Sequence, residues 1–213
     1  MAVTLTTQNT VLGVLLPQRD RTRLLANLVT VVIGSLLLTL SAKISVPVLP
    51  VPVSLATFAV AALAAGFGWR IGVATVALYI AQGLAGLPVF TFGGGWAYIM
   101  SPSFGFILGY LPMAWIIGKA ADAGASGNMF RLFAVMLLAD AVVFAFGFAW
   151  LLTVAGLVLQ SGGTLPGWID AGNLVGSAYQ AAVEPFILWD ILKLAFAALT
   201  VAGLWSLLRR KPA

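Results

Sequence analysis

Asp190 and Lys193 stand three residues apart in a largely apolar stretch, Ala181 to Leu208, that is uncharged but for these two and Glu184. On a helix that spacing puts both side chains on one face. A carboxylate accepts hydrogen bonds, and an ammonium donates them to a carboxylate or another acceptor oxygen. If the stretch lies in lipid, each charge costs about 2.5–3.5 kcal/mol to insert, so charges there tend to mark function. Two readings stand: a polar pocket that takes a ligand, or a self-satisfied ion pair that joins helices. Lys43 and Asp140 pose the same question on other apolar stretches. Lys43 either joins the pocket or snorkels to an interface. Asp140 either hydrogen-bonds a neighbouring helix or relays protons.

A second constellation is the loop Gly86-Leu87-Pro88-Val89-Phe90-Thr91-Phe92-Gly93-Gly94-Gly95-Trp96-Ala97-Tyr98. A plain flexible loop would be polar. This one carries Phe90, Phe92, Trp96 and Tyr98, so it is expected to fold back on the helices, as a lid over an apolar ligand or as an interfacial aromatic belt. Gly93 and Gly94 would let backbone approach a ligand closely. A third constellation is the stripe of small residues Ala26, Thr30 and Gly34, continued after Leu38 by Ala42. Such stripes let helices pack closely, inside the chain or against a partner subunit.

The chain has no cysteine and no histidine. That removes thiol and Ser-His catalysis and the commonest metal ligands. No Gly-Lys-Ser/Thr phosphate loop occurs, so the chain is not expected to hydrolyse nucleotide. The six acidic residues are scattered and form no carboxylate dyad. Neither an enzyme, nor a metal site, nor a cofactor is expected.

The elements that must position these groups follow from composition. Of 213 residues, 62% are hydrophobic and only 8% charged, where a soluble domain has about a quarter charged. The chain therefore reads as an all-α integral membrane protein, one membrane domain over residues 1–213, with lipid as its solvent. A span needs about 20 apolar residues. Six candidates appear, at about 24–44, 52–65, 71–84, 104–120, 130–159 and 181–208, preceded by a polar segment 1–23 read as retained and cytoplasmic. The second is expected to start near Pro52, because proline fits a helix's first turn.

Charge partition supports the count. Arg19, Arg21, Arg23, Arg70, Lys119, Arg131, Arg209, Arg210 and Lys211 all fall on the side that six spans would place in the cytoplasm, and the opposite loops carry no lysine or arginine. The net charge of +5 thus reports topology rather than nucleic-acid binding. Counting about 1.5 Å per residue from Arg209 puts Lys193 roughly 24 Å from the inner surface. By the same count Lys43 lies at the outer end of the first span, and Asp140 about 14 Å in from Arg131. Asp170 and Glu184 lie at or beyond the outer end and are read as solvated.

Several motifs occur together and in order: Ile44-Ser45-Val46-Pro47 through Pro50-Val51-Pro52-Val53-Ser54-Leu55; Gly86-Leu87-Pro88-Val89-Phe90 with the glycine triplet; Ser101-Pro102-Ser103-Phe104-Gly105-Phe106-Ile107-Leu108-Gly109; and Trp189-Asp190-Ile191-Leu192-Lys193. In combination they resemble the BioY family, over about Leu24 to Leu208. Two positions depart from its pattern: Ala56-Thr57 where a Gln-Thr pair is usual, and Pro102-Ser103-Phe104-Gly105 where Pro-Thr-Gly-Gly is usual.

The resemblance implies a biotin-binding substrate-capture (S) component of an energy-coupling factor transporter in a prokaryotic cell membrane, with both termini cytoplasmic. It implies a transmembrane T component and two cytoplasmic ABC ATPases as partners. Asp190 and Lys193 would be ligand contacts, joined by Phe92, Gly93, Gly94, Tyr98 and Lys43, and Ala26, Thr30 and Gly34 would face the T component. An S component for another vitamin, or a membrane scaffold subunit, are the alternatives.

Overall fold

A computed structural model describes residue 7 and residues 9–15, 20–47 and 51–209. Arg19, Val48, Leu49, Pro50, Arg210 and Lys211, used above for charge partition or motif, lie outside the described residues, and the side chains of residues 20–23 and 209 are likewise not described. The short helix α1 (Val11–Leu15) precedes α2 (Asp20–Lys43). A β-hairpin follows, β1 (Ser45–Val46) pairing antiparallel with β2 (Val53–Ser54) in the register Ser45 to Ser54 and Val46 to Val53. Then come α3 (Ala56–Phe67), α4 (Trp69–Leu84), a loop ending in a 3-10 turn at Trp96–Met100, α5 (Phe104–Asp122), α6 (Met129–Gln160), α7 (Leu174–Ala182) and α8 (Glu184–Arg209).

Four segments are long and apolar enough to cross a membrane: Leu24–Lys43, Phe104–Asp122, Met129–Gln160 and Ala171–Leu208. Helices α3 and α4, with 12 and 16 residues, complete the six-helix bundle. At about 1.5 Å per residue α3 is only some 18 Å long, short of a bilayer core of about 30 Å. It can be short because it is interior. Ala59, Val60, Ala61, Ala64 and Ala65 are all buried, and α3 packs against α2, α4, α5 and α8. Irregular backbone at membrane depth is tolerated only when protein covers it or it lines a cavity. The hairpin before α3 meets that condition, since Val53 and Ser54 line cavities.

Helix α2 is the opposite case. Asn27, Gly34, Ser35, Leu38 and Ala42 form its buried stripe, while Leu24, Leu25, Leu28, Val29, Val32, Ile33, Leu36, Leu37 and Leu40 point outward. Helices α3 and α4 are joined through Gly68 alone, at φ +84°, a conformation only glycine adopts cheaply. Asp122 at the end of α5 closes this corner by accepting from the Trp69 backbone N–H at 3.3 Å.

Two boundaries differ from the sequence expectation. The second helix starts at Ala56 rather than near Pro52. Pro52 instead leads into β2, whose residues pair back to β1, and the Leu55 N–H reaches the Ser41 and Ile44 carbonyls at 3.2 and 3.1 Å. The pairing thus pins the chain in extended form until Leu55. The last span, expected as one helix from 181, is two helices meeting at Val183. Pro185 is the cause: it has no N–H to give the carbonyl four residues back, and its ring excludes that carbonyl. It sits instead in the first turn of α8, where it is tolerated.

Candidate functional site

Two adjoining chambers open beneath the hairpin and the loop before α5. They share Val51, Pro52, Ser54, Phe106 and Tyr110 in their walls. The first adds Tyr79 from α4, Tyr98 from the 3-10 turn, and Ser103, Ile107 and Thr91. The second adds Thr57 from α3, Val143 and Phe144 from α6, and Phe186, Asp190 and Lys193 from α8.

Asp190 is 4% exposed. It pairs with Lys193 one turn away and accepts from the Thr57 hydroxyl at 3.0 Å. Lys193 also donates to the Ser54 carbonyl of β2 at 2.9 Å. The pair is therefore strapped to α3 and to the hairpin, and its groups border the chamber. Buried ion pairs are weak evidence for stability, because desolvation offsets the attraction. Their value here lies in chemistry: one acceptor and one cation held side by side in a wall. Across the shared floor stand hydroxyls. The Tyr98 hydroxyl lies 3.2 Å from the Ser103 hydroxyl, and Ser101 lies 2.9 Å from Ser103.

The glycine-rich loop is fastened down rather than free. Phe90 is fully buried, its ring set edge-on to Tyr79 and tilted against Tyr98. It occupies the space a side chain at Gly83 would need. Phe90 and Gly93 exchange backbone hydrogen bonds of 2.9 and 3.2 Å, and the Gly95 N–H reaches the Gly83 carbonyl at 2.7 Å. Lys43, at the end of α2, donates to the Phe90 and Thr91 carbonyls at 2.6 and 3.3 Å. The Thr91 hydroxyl returns to the Ala42 carbonyl at 3.1 Å. Trp150 of α6 holds the far end, donating to the Ile99 carbonyl at 3.1 Å.

The residues singled out in the sequence thus part company. Asp190, Lys193 and Tyr98 line the chambers. Lys43 holds the loop by its carbonyls. Gly93 and Gly94 shape the loop: Gly93 has φ +129°, and Gly94 lies against the Leu87 and Gly83 carbonyls, where a side chain would not fit. Phe92 and Trp96 point outward, 61% and 73% exposed, as a belt would. One loop thus turns Phe90 inward and Phe92 and Trp96 outward. Of the small stripe, Gly34 is buried against Thr75 of α4, whose methyl lies 2.8 Å from where a Cβ would stand, and against Phe67 of α3. Gly34 belongs to a seam within this chain, while Ala26 and Thr30 are half-buried beside it.

Asp140 is 5% exposed, with its Oδ1 unpartnered among the described residues. It stands on α6 three residues before Val143, which lines the second chamber. Sequence reasoning passed over Thr57, Tyr79, Tyr110 and Ser103. The signal available was a hydroxyl on an otherwise apolar span, the same kind of signal that flagged the charges. Among the described residues no cluster of three or more His, Cys, Asp or Glu could hold a metal ion. The arrangement suits reversible capture of a molecule with an apolar body and polar ends: aromatic and aliphatic walls, several hydroxyls, one carboxylate and one cation.

Comparison with known proteins bears on the family and the fold. The BioY family model matches residues 9–210. The biotin transporter BioY of Thermotoga maritima is 31% identical over 175 residues, 80% of this chain and 90% of that protein. The probable biotin transporter BioY of Pyrococcus horikoshii is 30% identical over 76% of this chain and 86% of its own length. A probable biotin transporter BioY from Lysinibacillus sphaericus is 36% identical, and its alignment spans about half of each chain, 45% and 49%. The crystal structure of the S-component for biotin from an ECF-type ABC transporter superposes with a TM-score of 0.69, at 22% identity, over 92% of this chain and 96% of that one. At that identity the likeness speaks for the fold.

Proposed function

The chain belongs to the BioY family, and from that premise we propose how it works: it captures biotin in the two chambers for uptake, as the substrate-binding subunit of an ECF-type transporter. The observation that carries the site assignment is the Asp190–Lys193 pair, buried at membrane depth yet bordering a cavity. Biotin has an apolar fused ring, a ureido group and a carboxylate on an alkyl chain. Lys193 is the cation in the chamber walls, so the carboxylate belongs beside it by charge. The ureido group then lies toward the Tyr79, Tyr98, Tyr110 and Ser103 hydroxyls, with Phe106, Ile107 and Val51 against the ring and chain. Asp190 holds Lys193 and accepts any N–H within reach. The loop carrying Phe90 and Thr91 covers the first chamber.

Capture alone moves nothing. The sequence has no nucleotide-binding loop, so energy comes from partners, a transmembrane T component and two cytoplasmic ABC ATPases. The chain sits in the prokaryotic cell membrane with both termini cytoplasmic, the orientation that its basic residues favour. The test is equilibrium binding of labelled biotin to the purified chain in nanodiscs. Saturable, stoichiometric binding is expected, displaced by unlabelled biotin and not by other vitamins. Absence of saturable binding by folded protein overturns the proposal.

A further inference from the structure

Beside the second chamber lies a lateral groove between the β1–β2 hairpin and α8. It is lined by Ile44, Val46, Leu55 and Trp189 with Ser54 and Lys193. Those last two residues also wall the chamber, so the two spaces adjoin at Lys193 and Ser54, which are joined by the hydrogen bond from Lys193 Nζ to the Ser54 carbonyl. Lys193 sits at this seam because of its place on α8. Asp190 and Leu194 on one side of it are buried, while Trp189 and Leu192 on the other are exposed.

We propose that this groove is an extension subsite, and that the protein takes biotin derivatives bearing an apolar substituent on the carboxyl carbon, carboxyl-linked amides among them. The inference rests on the biotin reading with its carboxyl group at Lys193. A substituent joined there has little freedom inside the chamber, where Phe106, Val143 and Phe186 are themselves buried. The space continuous with Lys193 is the groove. Its lining is apolar apart from Ser54, Ser45 and Lys193, so it favours an alkyl chain over a charged one. An amide keeps a carbonyl acceptor for the ammonium but forfeits the ion pair that the free acid makes. Length beyond the amide, however, adds no clash.

The experiment compares biotin, its N-methylamide and its N-hexylamide by displacement of labelled biotin from the full chain in nanodiscs. Both amides should bind about tenfold or more weakly than biotin, and the hexylamide within about threefold of the methylamide. Val46→Trp, or Ile44→Trp should the first variant fail to fold, fills the groove from a position outside the chambers. It should weaken the hexylamide about tenfold and leave biotin and the methylamide unchanged. A hexylamide that binds far more weakly than the methylamide, or failure of both amides while biotin binds, overturns the inference. So does a groove-filling variant that leaves the hexylamide unaffected, since the groove then holds lipid only. Failure of biotin itself strikes the functional reading beneath, and is seen separately in the same assay.

Discussion

Asp190 and Lys193 do different work although they form one ion pair. Asp190 is held by Thr57 and by Lys193, and its loss leaves the ammonium with only the Ser54 carbonyl. Asp190→Asn keeps the shape and removes the charge. It is expected to weaken biotin binding more than about tenfold, or about 1.4 kcal/mol, read by equilibrium binding; unchanged affinity would remove Asp190 from the site. Lys193 is the group that tells an acid from an amide. In Lys193→Met, biotin should lose more than about tenfold in affinity while its N-methylamide loses little, so that the gap between them closes. A variant that lowers both ligands equally would make Lys193 a structural tie instead.

The loop and α2 act as elements, and each carries its own expectation. Lys43 contributes two hydrogen bonds from a charged donor to the loop's carbonyls, and such bonds are worth about 1.5–3 kcal/mol when kept from water, less where water reaches them. Lys43→Met should loosen the cover and raise the biotin dissociation rate about tenfold, measured by stopped-flow chase. A slower association with unchanged dissociation would deny the loop its covering role. In α2, Gly34 makes room for Thr75 and Phe67. Gly34→Leu overfills that seam and should cost about 1–3 kcal/mol of stability, seen as a lower Tm in detergent. A variant with unaltered Tm and impaired assembly with the T component would return Gly34 to the partner surface.

At the scale of the whole molecule, the absence of cysteine makes single-cysteine labelling a clean test of orientation. With both termini cytoplasmic, Thr164→Cys, between α6 and α7, should react with an impermeant maleimide added to intact cells. Ala123→Cys, between α5 and α6, should react only after the cells are opened. The reverse pattern would invert the topology. Much of this molecule was legible from residues alone. Composition compelled a membrane solvent, because so few charges cannot clothe a soluble surface of this size. The one-sided arginines and lysines set the expected orientation, since that bias depends on where charges fall along the chain. The charges at depth were conspicuous for the same energetic reason, so Asp190 and Lys193 were visible as a pair. Tertiary structure decided what local signals could not. Pro52 looked like a helix start, but it lies in a hairpin whose register depends on pairing partners seven and nine residues apart. By sequence Lys43 fits either pocket or interface, and tertiary structure shows its ammonium meeting carbonyls 47 and 48 residues away. Gly34 suited packing inside the chain or against a partner, and tertiary structure sets it against Thr75 and Phe67. Thr57 and the tyrosines became site residues when separate helices converged. Composition and periodicity report how a segment meets its solvent; which side chains meet one another across a cavity is settled only by the packing of the helices that carry them.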